Sequence, residues 1–203
     1  MNKKQLAIQL SKLKQLENLN INLEQYQTDS EFAADFLYSA FDFDVISGKT
    51  VADFGCGNGI LGLGALILGA KKVYFLDLDK KFIEVLEENI KLLKIKESNY
   101  KIINSDVSEF NETVDTVIMN PPFGVQNRKA DKEFLLVAMK KANSIFSIHK
   151  IESKKFIESL CNENKFKVIK IIFKKLLLKK TYKFHSKKEY SVDVGLWLLF
   201  KEK

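Results

Sequence analysis

Asn120-Pro121-Pro122-Phe123 stands directly after an apolar run at 114–119 that reads as a strand. Two successive prolines end the strand and hold the backbone extended, so the Asn120 side chain and the Pro121 carbonyl can face one cleft. Two acceptors aimed at one spot suit an amino group attached to a planar ring or carbonyl. The lone pair of such a nitrogen is delocalised and weakly nucleophilic. Two hydrogen bonds accepted from its N–H groups favour a geometry in which that lone pair meets an electrophile. Positioning and electrostatics then supply the catalysis, with no side chain of shifted pKa required. Phe123 would stack on the ring, and a base would have to leave its helix to reach such a pocket. Two prolines can also mark a plain strand stop, a reading that loses ground once a second site appears on a neighbouring strand.

That second site is Asp53-Phe54-Gly55-Cys56-Gly57-Asn58-Gly59, at the end of the first core strand and opening the next helix. Glycines at alternate positions remove the side chains that would keep a nucleotide-type ligand from the backbone. Asp77 ends the next strand, placed to accept hydrogen bonds from ribose hydroxyls, and Asp106 ends the third. The rival is a dinucleotide fold, because Gly57-Asn58-Gly59-Ile60-Leu61-Gly62 also satisfies G-x-G-x-x-G with an acid about 20 residues on. Asp53 weighs against it, since a carboxylate there would repel a pyrophosphate, whereas it can order a loop that receives a cationic methionine moiety. The helical stretch ahead of residue 48 also has no counterpart in a dinucleotide domain. With the proline site, these features favour S-adenosylmethionine.

The elements that must hold these residues follow from hydrophobic period. Leu6, Leu10, Leu13 and Leu16 fall at helical spacing, which predicts an amphipathic helix over 3–19. A second helix is expected to start at Thr28, where Thr28-Asp29-Ser30-Glu31 fits a capping box and Phe32, Phe36, Leu37 and Ala40 follow on one face. From about residue 49 short apolar runs at 49–54, 72–76, 100–104, 114–119 and 145–149 alternate with helical segments at 60–68, 80–93 and 132–143. This is the pattern of β-α-β units and a largely parallel sheet covered on both faces. A helix near 153–163 and apolar segments at 166–173 and 190–200 predict a closing hairpin.

Composition sets the outer bounds. The 203 residues are 46% hydrophobic and 29% charged, which suits one globular domain and excludes collagen-like, disordered and disulfide-framework chains. The longest apolar runs, at 60–70 and 194–200, are too short or too interrupted to span a bilayer, and residues 1–19 lack the pattern of a secretory signal, so a cytoplasmic location is expected. Cys56 and Cys161 have no His or Cys neighbours at ligand spacing, which predicts reduced thiols and no metal site. The formal charge is +7, nearly all from lysine because Arg128 is the single arginine. A polyanion partner explains that excess, and so does a lysine-rich compositional bias. Lys174, Lys175, Lys179, Lys180, Lys183, Lys187 and Lys188 interleave with Tyr182, Phe184 and His185. Such a run suits phosphates and unpaired bases, or a solvated hairpin whose lysines discourage edge pairing. His149 is expected to be structural, and the role of His185 stays open.

The sequence resembles the class I S-adenosylmethionine-dependent methyltransferases with an NPPF motif, and more closely the archaeal and eukaryotic group that methylates adenine N6 in small-subunit rRNA. The resemblance rests on Leu23-Glu24-Gln25-Tyr26-Gln27-Thr28, on Val51 to Gly57, on Asp115 to Gly124, and on Tyr182-Lys183-Phe184-His185. It implies a Rossmann-like α/β fold with a seven-stranded, mostly parallel sheet, a methyltransferase core at 48–203 and a helical extension at 1–47 that covers the cofactor site. By the same resemblance Gln25 and Thr28 reach over the cofactor, while Gly55, Asn58 and Ile60 line its methionine side; Asp53 and Gly57 are cofactor-binding candidates from the loop itself. Asp77 would bind the ribose and Asp106 the adenine amino group. Asn120, Pro121, Pro122 and Phe123 would hold the target base, and Lys180, Tyr182, Lys183, Phe184, His185, Lys187 and Lys188 would contact RNA. Asn58 stands where eukaryotic members commonly have cysteine, and Gln27 where they often have proline. The family also implies a small zinc-containing activator that pairs with an edge strand; the apolar run at 72–76 offers a strand near an edge, a feature that core packing explains as well. Guanine N2 of RNA, a glutamine amide of a translation factor, and a non-catalytic RNA-assembly role are the alternative readings.

Overall fold

The computed structural model describes residues 1–16, 28–122, 130–179 and 189–202. The elements run α1 (Lys3–Leu10), α2 (Ser30–Asp42), β1 (Thr50–Phe54), α3 (Ile60–Ile67), β2 (Lys72–Asp77), α4 (Lys80–Leu92) and β3 (Tyr100–Asn104). They continue with β4 (Val114–Met119), α5 (Ala130–Lys141), β5 (Ala142–Lys150), α6 (Lys154–Glu163), β6 (Phe166–Lys179) and β7 (Glu189–Lys201). One seven-stranded sheet has the order β3-β2-β1-β4-β5-β7-β6. The first five strands are mutually parallel, and β7 lies antiparallel between β5 and β6. This is the expected mixed α/β architecture.

Central strands such as β1 and β4 are buried along nearly their whole length, as strands covered on both faces must be. On one face Leu6, Leu10, Phe36, Leu37, Leu63, Leu86, Ile118 and Phe146 share a core with α1, α2, α3 and α4. On the other, Leu135, Met139, Ile157 and Leu160 of α5 and α6 pack on Val117, Ile145 and Trp197. Both helices ahead of the sheet are therefore part of its core. The ring centroids of Phe36 and Phe146 lie 4.7 Å apart, which fixes α2 over β5.

Four local expectations are corrected. The helix expected over 3–19 ends at Leu10, because the backbone at Lys14 leaves the helical path to bond to side chains of the core; residues 17–19 lie outside the described chain. The cap of α2 is Asp29, whose carboxylate accepts from the N–H groups of Glu31 (3.0 Å) and Phe32 (2.9 Å), so Thr28 precedes the cap and there is no capping box on it. The run at 72–76 is not an edge: β2 is paired on both sides, and β3 and β6 form the borders of the sheet. The hairpin is present but longer than its apolar run, since β6 extends through Lys179, with a bulge between Val168 and Lys170. Among the described residues no helix is long and apolar enough to cross a membrane.

Candidate active site

The glycine loop leaves β1 at the C-terminal edge of the sheet. Gly55, Gly57 and Gly59 have φ of 66°, 54° and 84°, a left-handed region that side chains rarely adopt. At Gly59 space is also short, since a Cβ there would lie 2.3 Å from Leu86 Cδ1. The loop is closed by Cys56 N–H donating to Leu76 O (2.9 Å) and Gly59 N–H donating to Cys56 O (2.8 Å).

Three carboxylates stand at the ends of the adjacent strands β1, β2 and β3. Asp53 is 1% exposed, and its Oδ2 accepts the Gly62 N–H at 2.7 Å, tying β1 to the first turn of α3. Burial pushes its carboxyl up to about 7, against the lowering effect of the Gly62 bond, and the nearby Asp77 charge raises it further. Gly62 itself cannot be larger, for a Cβ would meet Phe75 Cε1 at 2.2 Å and Asp53 Oδ2 at 2.9 Å. The third glycine of the dinucleotide-like pattern thus serves helix packing.

Asp77 accepts the Gly57 N–H (2.8 Å) and the Asp79 N–H (2.9 Å), and burial again raises its carboxyl above the ordinary range. Asp106 accepts the Ser108 N–H (2.9 Å) and hydroxyl (2.6 Å), capping the short turn Val107–Glu109. Three acids around one glycine loop fit a ligand that brings hydroxyls, an amino group and a cation. They oppose a pyrophosphate. Asp53, Gly55, Gly57, Ile60, Asp77 and Asp106 are therefore gathered along one edge. The Asn58 amide points elsewhere: it is 6% exposed and donates to Lys14 O (2.9 Å) and Gln15 Oε1 (3.3 Å) in the N-terminal segment.

Two positions not marked by the sequence reading hold this edge together. Asn89 of α4 is fully buried; it accepts the Lys14 N–H (2.7 Å) and donates to Lys14 O (3.2 Å) and Asn58 O (3.0 Å). Asn104, the last residue of β3, donates to the carbonyls of Asp77 (2.8 Å) and Leu78 (3.1 Å). The available signal for Asn89 was an amide at helical spacing within the apolar stripe Phe82, Ile83, Leu86, Ile90.

Asn120 follows β4, which pairs directly with β1, so it emerges beside the glycine loop. Its Nδ2 donates to Thr28 Oγ1 at 2.9 Å, joining residues 92 positions apart in sequence. Pro121 is buried and Pro122 half-buried. Phe123, Gln25 and the expected RNA contacts Lys180, Tyr182, Lys183, Phe184, His185, Lys187 and Lys188 lie outside the described residues. Lys174, counted with that basic run, is bound to Asp35 of α2 at 2.7 Å. His149 is 1% exposed, with Nε2 2.9 Å from Ser147 Oγ and Nδ1 2.7 Å from Asp131 Oδ1, a packed position like that expected of a structural histidine. No cluster of metal-ligating side chains occurs among the described residues.

The family model described as the methyltransferase small domain matches residues 26–170. The chain is 35% identical over 198 residues to a Danio rerio protein named rRNA N(6)-adenosine-methyltransferase METTL5, covering 94% of this chain and 95% of that one. The Drosophila melanogaster protein of the same name is 31% identical over 189 residues, covering 89% of this chain and 88% of its own. A solved structure of a candidate RNA methyltransferase from Pyrococcus horikoshii matches with a TM-score of 0.92 at 41% identity, over 100% of this chain and 99% of that one.

Proposed function

Because this chain belongs to the methyltransferase small-domain family, we propose that it transfers a methyl group from S-adenosylmethionine to the exocyclic N6 of an adenine in small-subunit rRNA. The observation that carries the reading is the placement of Asn120 at the end of β4, beside the glycine loop of β1 and hydrogen-bonded to Thr28. The rRNA adenosine-N6 activity named for relatives that match over nearly their whole length supports the choice of acceptor.

When bound, S-adenosylmethionine supplies a methyl group on a sulfonium, electrophilic without further activation. Asp77 would accept from the ribose hydroxyls and Asp106 from the adenine amino group. Asp53 would face the cationic side through the loop it braces, with Gly55, Gly57 and Ile60 admitting the methionine portion. Gln25 would reach over the cofactor from the extension at 1–47. Asn120 and the Pro121 carbonyl would accept hydrogen bonds from the two N6–H groups, turning the lone pair toward the methyl for direct in-line transfer in which the N–CH3 bond forms as the S–CH3 bond breaks, S-adenosylhomocysteine leaves and the surplus N6 proton passes to water, with Pro122 fixing the path and Phe123 stacked on the base. No covalent enzyme intermediate is formed. Lys180, Tyr182, Lys183, Phe184, His185, Lys187 and Lys188 would follow phosphates and unpaired bases. A small zinc-containing activator is the proposed partner, and β3, a true border strand with half-buried Ile102 and Ile103, replaces 72–76 as the strand it would pair with. The proposed compartment is the cytoplasm.

Labelled methyl transfer to unmodified small-subunit rRNA, followed by nucleoside analysis with and without an activator, tests the reading. Label in N6-methyladenosine is expected. Label in guanosine or in protein, or none in either mixture with cofactor binding intact, would overturn the acceptor.

A further inference from the structure

One large aromatic stands outside both cores. Phe173 of β6 is 68% exposed, more than any other large apolar side chain among the described residues. Strand alternation sets it on the face of Ile171 and Lys175, and Ile171 packs against the core beneath α5 and α6. That cover ends just short of Phe173. A Cβ on its register partner Gly195 would lie 2.8 Å from Ile171 Cγ2 and 3.0 Å from Ile151 Cδ1, so the turn ahead of α6 reaches Gly195 and the phenyl ring projects past it. The register also fixes the height of the ring in the sheet. Met119 pairs with Ser147, His149 with Gly195, and Gly195 with Phe173. Phe173 thus lies on the row two residues beyond Met119, the level at which Asn120 and Pro121 leave β4, and three strand spacings, about 14 Å, to the side. Resting on the RNA reading above, we propose that Phe173 is a stacking platform for an unpaired base of the RNA, a few nucleotides from the target base, with Lys175 meeting the phosphate beside it.

Every base has a π-face, so one exposed phenyl ring holds an unpaired nucleotide without reading its identity. A base drawn out of its helix leaves its neighbours unstacked, and a ring at this distance gives one of them a new surface. The charge around the ring suits a strand of phosphates. β6 carries five lysines and no acid. Lys167 and Lys174 are bound to Glu202 and Asp35, whereas Lys170 and Lys175 are exposed and stand in no ion pair among the described residues. Asp193, across the ladder from Lys175, is the acid that those lysines outnumber. Lysines on a border strand also discourage edge pairing, but that purpose needs no phenyl ring in water. Beyond Phe173 the strand runs on to Lys179 and into the lysine- and aromatic-rich stretch proposed above for RNA, so the ring continues that surface to the level of the catalytic edge.

The test measures binding of a single-stranded oligoribonucleotide and of its duplex to the full chain, with any activator it needs and with S-adenosylhomocysteine present so that no transfer occurs. Phe173→Ala is expected to weaken the single strand about tenfold and to change the duplex and S-adenosylmethionine Kd by less than about twofold. KM for rRNA should rise with it. Phe173→Trp should keep the wild-type affinity, while Phe173→Leu, apolar but without a ring, should behave like the alanine variant. The native tryptophan, Trp197, is fully buried, so the emission added by Phe173→Trp should be quenched by the single strand and not by the duplex. Lys175→Gln should flatten the salt dependence of binding, which Phe173→Ala leaves unchanged. Methyl label found in guanosine, with these effects present, would count against the N6 reading and not against the platform. Unchanged single-strand affinity in Phe173→Ala would overturn the proposal even where N6 is methylated. So would an equal loss on the duplex, leucine serving as well as phenylalanine, no RNA binding by the wild-type chain, or a loss confined to binding of the activator.

Discussion

Asn120→Ala removes an acceptor from the place where the amino nitrogen must be oriented, and is expected to lower kcat about 100-fold with cofactor affinity retained. Methyl incorporation under cofactor saturation, set against calorimetric binding, checks it. Asp53 predicts a pH dependence instead. Its carboxyl is raised by burial to about 7 in the folded protein, against an ordinary value near 4, so the stability it contributes is present below about pH 4 and is lost as pH rises through about 7. Urea unfolding of the ligand-free protein should therefore show a fall between pH 5 and pH 8 that is smaller in Asp53→Asn. A cation bound nearby favours the ionised carboxylate, so S-adenosylmethionine affinity should rise over that same window and stay flatter in the variant. The acids Asp53, Asp77 and Asp106 were readable because each ends an apolar run, where strand ends meet ligands. The partnership of Thr28 with Asn120 was not, since a contact across 92 positions leaves no trace in local spacing.

Between residue and fold lies the junction of α4, the glycine loop and the N-terminal segment. Asn89→Leu would fill similar volume but leave the Asn58 carbonyl and the Lys14 N–H without their partner, an expected cost of about 2–4 kcal/mol in urea unfolding. Weaker S-adenosylmethionine binding should accompany it, since the loop loses its support from behind. The same junction explains why α1 stops early. Leu13 is 4% exposed and continues the apolar spacing beyond Leu10, yet the backbone at Lys14 bonds to Asn58 and Asn89 side chains instead of to its own preceding turn. Period alone therefore extended the helix too far. It placed α3, α4 and strands β1 to β4 within a residue or two, because a buried strand or an amphipathic helix carries its whole signal locally. Which strand is a border depends on pairing order, and that could not be read from the apolar run at 72–76.

Over the whole molecule, a formal charge of +7 carried by lysine predicts an affinity for RNA that falls steeply with salt, while S-adenosylmethionine affinity changes little. Measuring KM for rRNA and Kd for the cofactor at about 50 and 200 mM salt separates the two; equal slopes would argue that the surface charge serves something other than a polyanion. The α/β class and the two-site logic were legible at this scale because alternating strands and helices leave few topologies to choose from. The position of β7 was less so, and it bears on how the protein is made. Among the described residues β6 pairs only with β7, which itself must first dock on β5. During synthesis β6 emerges earlier and can only wait, leaving Phe166 and Leu176, both buried in the finished fold, without their full cover until β7 arrives and serves as the keystone. A ribosome stalled before Glu189 would hold a chain with five strands able to pair in the native order and one stranded, a substrate for chaperones rather than a shortened enzyme.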